Sequence, residues 1–506
     1  MDLTINRQTL EAERMIGVSE TQKLVRAETL VSGAGREEVE ILLADASAQT
    51  GSADIQTDRA ALDGTVKCQA VYRLGSESAP RALTAQAAFN HIFEIKGAQS
   101  GMFSNTRVIV DAVNARYENG HMIFDVSVTL AVRVLELKPS ELIAGVSADE
   151  GLETRYVGIV SRKTSAESRA SALISDRVTL PAQLDARTAL MDWAAVTDLS
   201  VKRDLGGVRV TGNVQCEALI SSGAKAHPVA LVRYAMPLNQ LVELPEWLTG
   251  DLRASARVRS LNTEVEQAPD GEDGQLKLEA EVEASVSALG TDQIQALADA
   301  YATGSTNVSV KTRTMETCES DALLRVNEPF HGTMMLPSGA GSVGSVCAVL
   351  ARANIGDRVP DENQTVLSGI VDAQVLYMSG DRETLARASA ELPFEISVAE
   401  TLDENDWVSV QVLNAEGSAL MSDRVEIKCL LEISAEKRKC VQTEVADEIT
   451  AEGENARAKG VLLVWPQAGE SAWSIGKKYR APMKTVVRAN RDSDALSPGR
   501  ALVIRL

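Results

Sequence analysis

The chain has 506 residues, a hydrophobic fraction of 44%, only 4% aromatic residues and a formal net charge of −20. This length exceeds what one hydrophobic core supports, and it predicts about three to five domains with cores built mainly from aliphatic side chains. The acidic balance argues against a general nucleic-acid binder, because such a protein needs a basic surface.

The first residues, the apolar runs and the cysteines indicate in which cellular compartment the protein is expected. The first residues show no apolar segment behind a basic start, and no run approaches the 18 apolar residues of a membrane span, so we expect neither a secretory signal nor a span. The six cysteines form no CxxC pair. They are predicted to be small core residues of a protein in a reducing, cytosolic compartment.

Alternating apolar residues predict strands from the start of the chain. After a polar lead (residues 11–28), strands are predicted at 39–44, 64–72 and 89–95, followed by a hairpin of 107–113 and 123–130. The hairpin turn contains Asn119-Gly120, a pair that supplies the positive φ angles of a tight turn.

The strand at 64–72 recurs at 212–220 and 369–377, each copy opening with glycine and alternating small or apolar residues with polar ones. The spacings of 148 and 157 residues are domain lengths. The sequence therefore predicts a mainly β protein with three tandem copies of one β-rich domain, at residues 1–140, 150–290 and 305–436. Whether each copy closes on itself or exchanges strands with its neighbour stays open at this point.

Two connecting segments follow from composition. Residues 291–302 carry Ile294, Leu297, Ala298 and Tyr301 at helical spacing behind Thr291, which predicts a short amphipathic helix. Residues 437–459 are rich in glutamate with few large apolar residues, which predicts an acidic linker that lets the last module swing.

The last segment, residues 460–506, is basic, with eight lysines and arginines against three acidic residues. A strand at 461–464, a helix capped by Ser471, a second helix opened by Pro482 and a strand at 501–504 predict a βααβ unit. Trp473 is predicted to anchor its core.

This segment resembles a LysM domain through Gly469, Trp473, Ile475, Tyr479, Asn490, Pro498, Gly499, Leu502 and Ile504. The family implies binding of N-acetylglucosamine polymers by the turn before the first helix and the loop after the second. Here the turn reads Gly-Glu-Ser-Ala, and Gly476 replaces the usual alanine at a cost of about 1 kcal/mol of helix stability. A module used for protein docking would share the scaffold. The candidate residues for glycan or partner binding are Gly469, Glu470, Ser471, Ala472, Trp473, Lys477, Lys478, Asn490 and Arg491.

Three β-rich copies followed by a LysM-like module resemble the SPOCS-domain spore coat morphogenetic proteins of endospore-forming Firmicutes, of the SipL type. The resemblance implies three SPOCS-like domains and an adaptor in the mother-cell cytoplasm at the forespore surface. It implies as partners the ATPase of the coat basement layer and other coat proteins, reached through the LysM domain. The cluster of basic residues around Lys477 fits either a solvated helix face or a docking surface for an acidic partner.

No pattern in the sequence favours catalysis, a metal or a cofactor. The string at 339–344 matches GxGxxG but leads into a predicted strand at 346–350, whereas a dinucleotide site needs a following helix. The four histidines lack zinc spacing. The leading hypothesis is a non-enzymatic scaffold or adaptor in spore coat assembly. The alternative is a LysM protein that binds peptidoglycan or N-acetylglucosamine polymers of the cell wall or cortex, and an enzyme comes third.

Overall fold

The computed structural model describes residues 2–33, 38–75, 79–149, 151–224, 227–245, 247, 250–267, 273–337, 340–380, 384–403, 406–454, 460–489 and 501–505. The described chain is mainly β, as predicted. Its strands form three units, which we call unit 1 (residues 3–148), unit 2 (residues 152–302) and unit 3 (residues 306–454). We call these units together the body, and the described part of residues 460–505 the C-terminal module.

Each unit runs through the same order: a long first strand, a three-stranded sheet, and a hairpin whose long return strand pairs with the first strand. The strands of unit 1 are β1 Leu3–Leu30, β2 Val39–Thr50, β3 Asp54–Gln56, β4 Arg59–Leu74, β5 Arg81–Glu94, β6 Phe103–Glu118 and β7 His121–Ala148. Its sheets have the orders β2-β4-β5 and β1-β7-β6, with the short β3 paired to the start of β4.

Units 2 and 3 repeat this topology. Unit 2 has β8 Leu152–Leu180, β9 Ala186–Asp204, β10 Gly207–Ser222, β11 Val229–Glu243, β12 Asp251–Glu266 and β13 Gly274–Ala302. Unit 3 has β14 Thr306–Met335, β15 Val343–Asp361, β16 Gln364–Ser379, β17 Leu385–Val398, β18 Trp407–Met421 and β19 Arg424–Glu454. The first strand of each unit pairs with the last strand of the same unit, so each unit closes on itself.

The module contains β20 Val461–Val464, α1 Ala472–Tyr479, α2 Met483–Ala489 and β21 Leu502–Arg505. Strands β20 and β21 pair antiparallel. The predicted βααβ order is therefore present.

The strand repeated in the sequence is the central strand of one sheet in each unit: β4, β10 and β16. Its alternating residues are buried in the three unit cores, with Cys68, Cys216 and Ala373 at the equivalent inward position. The predicted hairpin turn is also present, since Asn119 (φ 52°) and Gly120 (φ 87°) are the two residues between β6 and β7.

The glycine that opens the repeated strand leaves room for an aromatic ring on the neighbouring strand. Gly64 is paired with Phe89, and a Cβ at Gly64 would lie 2.3 Å from Phe89 Cζ and 2.4 Å from the Gln49 carbonyl oxygen. In unit 3, Gly369 is paired with Phe394 in the same way. The ring covers backbone that the glycine leaves bare, which is why a larger residue does not fit.

Replacing Gly64 with alanine is expected to lower the free energy of unfolding by about 1–3 kcal/mol, because the ring and the backbone of β2 must move apart. The matched control is Gly51→Ala in the same unit, where a Cβ meets no heavy atom within 4 Å. Urea unfolding of both variants measures the difference. Equal midpoints for the two variants would show that the close packing at Gly64 contributes nothing.

The helix predicted for residues 291–302 is wrong, because these residues form the end of β13 and pair with β8. A register shift between Leu297 and Asp299 makes Ala298 an extra, bulged residue. The bulge changes the phase of alternation, so that Ala296, Leu297, Ala300 and Tyr301 are all buried. This change of phase imitates a helical period in the sequence.

The linker predicted for residues 437–459 is wrong over residues 437–454, which form β19 and pair with β14. Residues 455–459 lie outside the described part. The stretch is polar because most of its residues are not covered by a core, and its buried apolar residues are Val445, Ala446 and Ile449. They pack with the long strands of units 1 and 2 in two small clusters.

The three units contact one another in a cycle. The side-chain amide of Gln69 in unit 1 makes two hydrogen bonds with the backbone of Asp192 in unit 2. It donates to the Asp192 carbonyl at 2.9 Å and accepts from the Asp192 N–H at 3.3 Å. Gln374 of unit 3 makes the same two bonds with Ala44 of unit 1, the residue equivalent to Asp192. It donates to the Ala44 carbonyl at 2.9 Å and accepts from the Ala44 N–H at 3.2 Å. Units 2 and 3 meet through Arg233, which donates to the Ala415 carbonyl at 2.7 Å. Beside these contacts, one hydrophobic cluster takes residues from all three units: Leu42, Leu43, Val71, Leu190, Met191, Leu219, Val229, Ala348, Leu376, Met378 and Leu385.

Candidate functional site: the C-terminal module and its seat

The module has its own small core between the paired strands and the two helices. The core residues are Val464, Ala472, Ile475, Ala481, Val486, Leu502 and Ile504. Within the helices, Ile475 and Val486 are fully buried, and Tyr479 and Ala489 pack against the core at partial burial.

The turn before α1 is closed by its own side chains. Ser471 caps the helix by accepting from the Ser474 N–H at 3.1 Å, while the Ser474 hydroxyl accepts from the Ser471 N–H at 2.9 Å. Glu470 accepts from the Gln467 N–H at 2.9 Å and lies 3.6 Å from Lys478. Gly469 has φ 88°, which favours glycine. Three of the candidate residues of this turn therefore shape the turn itself, and the fourth, Ala472, is buried in the module core.

The face of α1 that points away from the module core contacts the body. Asp299 of β13 accepts from Trp473 Nε1 at 2.8 Å and from Lys477 Nζ at 2.6 Å. Burial alone would raise the pKa of Asp299, but the hydrogen bonds from Lys477 and Trp473 outweigh burial, and the pKa lies below its ordinary value. An ionised carboxylate therefore holds both residues at once.

Tyr301 lies two residues further along β13 and fills the space beside Gly476. Its hydroxyl donates to the Ala481 carbonyl at 2.7 Å, and its ring meets Trp473 edge to face with centroids 5.0 Å apart. A Cβ at Gly476 would lie 2.4 Å from the Tyr301 hydroxyl oxygen. The glycine that departs from the LysM pattern therefore lies where Tyr301 leaves no room for a side chain on the helix.

Three more body residues complete this surface. The Arg155 guanidinium lies 5.4 Å from the centre of the Trp473 ring, Glu153 accepts from the Met483 N–H at 3.1 Å, and Asn307 accepts from Arg480 at 3.3 Å. We call this surface of the body the seat. It consists of Glu153, Arg155, Asp299, Tyr301 and Asn307.

The predicted role of Trp473 as a core anchor of the module is wrong. The core of the module does not include it, and its indole is half-buried against the seat instead. Lys477 also points to the seat, whereas Lys478 is 60% exposed. Asn490 and Arg491 lie outside the described residues. Of the predicted candidates, the structure thus brings Trp473 and Lys477 together on one carboxylate.

Sequence reasoning missed the seat, because its residues lie about 165 to 320 positions before α1 and carry no motif. It also missed an apolar strip on the other side of the module. Leu463 and Val503 are directly opposed on β20 and β21. With Val461 and Trp465 they are exposed by 50–64%. The continuous apolar run at 461–465 was the available signal, since a strand covered on one face alternates instead.

Within the described ranges, no helix is both long and apolar enough to cross a membrane. In the same residues, no group of three or more histidine, cysteine, aspartate or glutamate side chains is arranged to hold a metal ion.

The fold defines a class of protein: three β units of one topology joined in a cycle, with a βααβ module seated on residues of the second and third units. Residues 39–118 match the family model described as SipL, SPOCS domain. The match begins at the first residue of β2 and ends at the last residue of β6. The chain therefore carries a SipL-type SPOCS domain within unit 1. This domain relates the chain to spore coat proteins. No curated protein and no solved structure matches the chain.

Proposed function

We propose that this protein is a non-enzymatic adaptor of spore coat assembly that acts in the mother-cell cytoplasm at the forespore surface. Units 2 and 3 are further SPOCS-like domains, and the C-terminal module is a LysM domain. The SPOCS match in unit 1 carries the link to the coat. The threefold repeat of strand order and the βααβ order support the extension to the rest of the chain.

The module docks onto the ATPase of the coat basement layer through the face of α1 that carries Trp473 and Lys477. The seat indicates what this face recognises: a carboxylate that accepts from an indole N–H and an ammonium group at once, beside an aromatic ring. We expect the partner to present the same combination. Because one face cannot bind two surfaces, the partner competes with the seat, and the seat tunes affinity without taking part in the complex.

The turn residues of the module argue less for a glycan. The Ser471 hydroxyl oxygen accepts in the helix cap and one Glu470 carboxylate oxygen accepts from the Gln467 N–H, so local bonds fix both side chains and reduce their capacity to bind a sugar hydroxyl. Peptidoglycan and N-acetylglucosamine polymers therefore form the second arm of the test.

The test measures binding of the full chain, and of a chain ending at residue 454, to the purified coat ATPase and to chitin oligomers. We expect the full chain to bind the ATPase saturably and the shortened chain to lose that binding. The chitin oligomers should bind neither chain. Saturable binding of chitin oligomers that is abolished by Ser471→Ala would overturn the adaptor role of the module in favour of glycan recognition.

A further inference from the structure

Two cysteines of unit 3 face each other across the long β14–β19 ribbon. Cys318 of β14 is the register partner of Cys440 of β19, and the Cys318 thiol donates to the Ser320 carbonyl at 3.3 Å. Cys318 is fully buried, whereas Cys440 is exposed. The sequence predicted all six cysteines to be small core residues, and for the exposed Cys440 this prediction is wrong.

The ladder places the backbones of the two cysteines directly opposite each other, at a separation that a disulfide can span. Residues directly opposite in an antiparallel pair have Cα atoms about 4.5–5.5 Å apart, within the range of about 4.4–6.8 Å seen for disulfides. A register shift between Cys318 and Ser320 makes Glu319 a bulged residue beside the pair. A bulge lets one strand bend locally, so that the sulfurs can approach without breaking the ladder on either side.

The two thiols differ in reactivity. The pKa of Cys440 lies below its ordinary value, because the interaction with the neighbouring Cys318 thiol and the positive charge of Arg438 outweigh burial. The same interaction raises the pKa of Cys318. By contrast, burial raises the pKa of Cys68 to about 12 and the pKa values of Cys216, Cys347 and Cys429 to about 11. Cys440 thus combines exposure with thiolate character, and Cys318 is placed to react second.

We propose that Cys318 and Cys440 form a peroxide-reactive dithiol site that closes to a disulfide across the ribbon. The Cys440 thiolate attacks one oxygen of hydrogen peroxide, the O–O bond breaks, and hydroxide leaves and takes up a proton to form water. The resulting sulfenic acid is attacked by the Cys318 sulfur, which loses its proton as the S–S bond forms and a second water leaves. Two thiols are oxidised and one peroxide is reduced to two waters.

The site lies where the long strands of all three units meet. Next to it, Arg438 pairs with Glu13 of unit 1, and both side chains are buried. A few residues further along the ribbon, Met315 and Val445 pack in one cluster with residues of units 1 and 2. A disulfide would therefore fasten the ribbon at the joint of the body, and it would link residues 122 positions apart, which removes freedom from the unfolded chain.

The test treats the reduced full chain with stoichiometric hydrogen peroxide and maps thiols and cross-linked peptides by mass spectrometry. We expect one dominant cross-link, Cys318–Cys440, loss of two thiols and two hydrogen atoms, and reversal by dithiothreitol. The melting temperature of the oxidised chain should rise by roughly 5 °C or more. Cys440→Ser should abolish the fast reaction, and Cys347→Ser, a partly exposed control, should leave it unchanged.

The mapping in the unaltered chain decides the matter even if a cysteine variant folds poorly. Oxidation of Cys440 to a sulfinic acid with Cys318 still reduced would overturn the proposal, since the second thiol would then be out of reach. A cross-link that joins either cysteine to a different partner, or an equal reaction rate at Cys347 and Cys440, would also overturn it.

Discussion

Replacing Asp299 with alanine will release the C-terminal module from the body. The substitution removes the acceptor of both the Trp473 indole and the Lys477 ammonium group. Lys477 is 45% exposed and regains water, so the loss comes mainly from Trp473 and from the partly buried carboxylate. We expect the docking equilibrium to weaken by about 2 kcal/mol, which is about thirty-fold.

Hydrogen exchange of the α1 and α2 amides, together with proteolysis between residues 454 and 460, measures the release. Exchange at the face of α1 should rise, while the core of the module stays protected. The matched control is Asp292→Ala, which removes another β13 carboxylate that pairs with a lysine, Lys163 at 2.9 Å, away from the module. Unchanged exchange in Asp299→Ala, or equal release in Asp292→Ala, would show that the seat does not hold the module.

The same carboxylate sets the pH dependence of docking. The pKa of Asp299 is lowered from an ordinary value of 3.8 when the module is seated. A lowered pKa means that the ionised form stabilises the seated state, so this stabilisation is present above the ordinary pKa and is lost as the pH falls through the lowered one. Docking should therefore be constant from about pH 5 to 8 and weaken below about pH 4. A loss of docking between pH 6 and 7 would point to a different group.

Restoring the alanine of the LysM pattern, as Gly476→Ala, will have opposite effects on the module and on its docking. Helix α1 should gain about 1 kcal/mol of stability, because alanine is the better helix former. The seated state should lose about 1–3 kcal/mol, because the added methyl group meets the Tyr301 hydroxyl at 2.4 Å. Hydrogen exchange of the α1 amides in the released module should therefore be slower than in the unaltered protein. Exchange at the face of α1 that contacts the seat should be faster, because the module is released more often.

A second substitution identifies the cause. Tyr301→Ala removes the ring that the methyl group meets, so the double variant should lose less docking than the sum of the two single variants. Lys478→Ala serves as the control on α1, because Lys478 does not contact the seat and is 60% exposed. Additive losses in the double variant would mean that Gly476 and Tyr301 are not coupled.

The sequence was sufficient to predict the features that depend on local alternation. The central strands of the three units, the Asn119-Gly120 turn and the order of the module follow from periodicity and turn chemistry. The end of β13 and the polar half of β19 did not follow from the same rules. A bulge at Ala298 gives the sequence a helix-like spacing, and the buried apolar residues after Lys437 are few, since they face other units rather than a broad core.

In the C-terminal module and its seat, too, the local contacts could be predicted from the sequence and the distant ones could not. The Ser471 cap could be predicted because both partners lie within four residues. The pairing of Asp299 with Trp473 and Lys477 joins positions more than 170 residues apart, and no local pattern marks it. The unusual Gly476 was the only trace of the seat in the sequence, and its meaning required the position of Tyr301.

One comparison tests directly whether the same face of α1 binds the seat and the partner. It compares the affinity of the unaltered full chain for the purified coat ATPase with that of Asp299→Ala. If the α1 face serves both the seat and the partner, Asp299→Ala should tighten binding about ten-fold or more, as a competing contact is removed. Asp292→Ala should leave the affinity unchanged, and a chain ending at residue 454 should not bind. Equal affinity with and without the module would contradict the account.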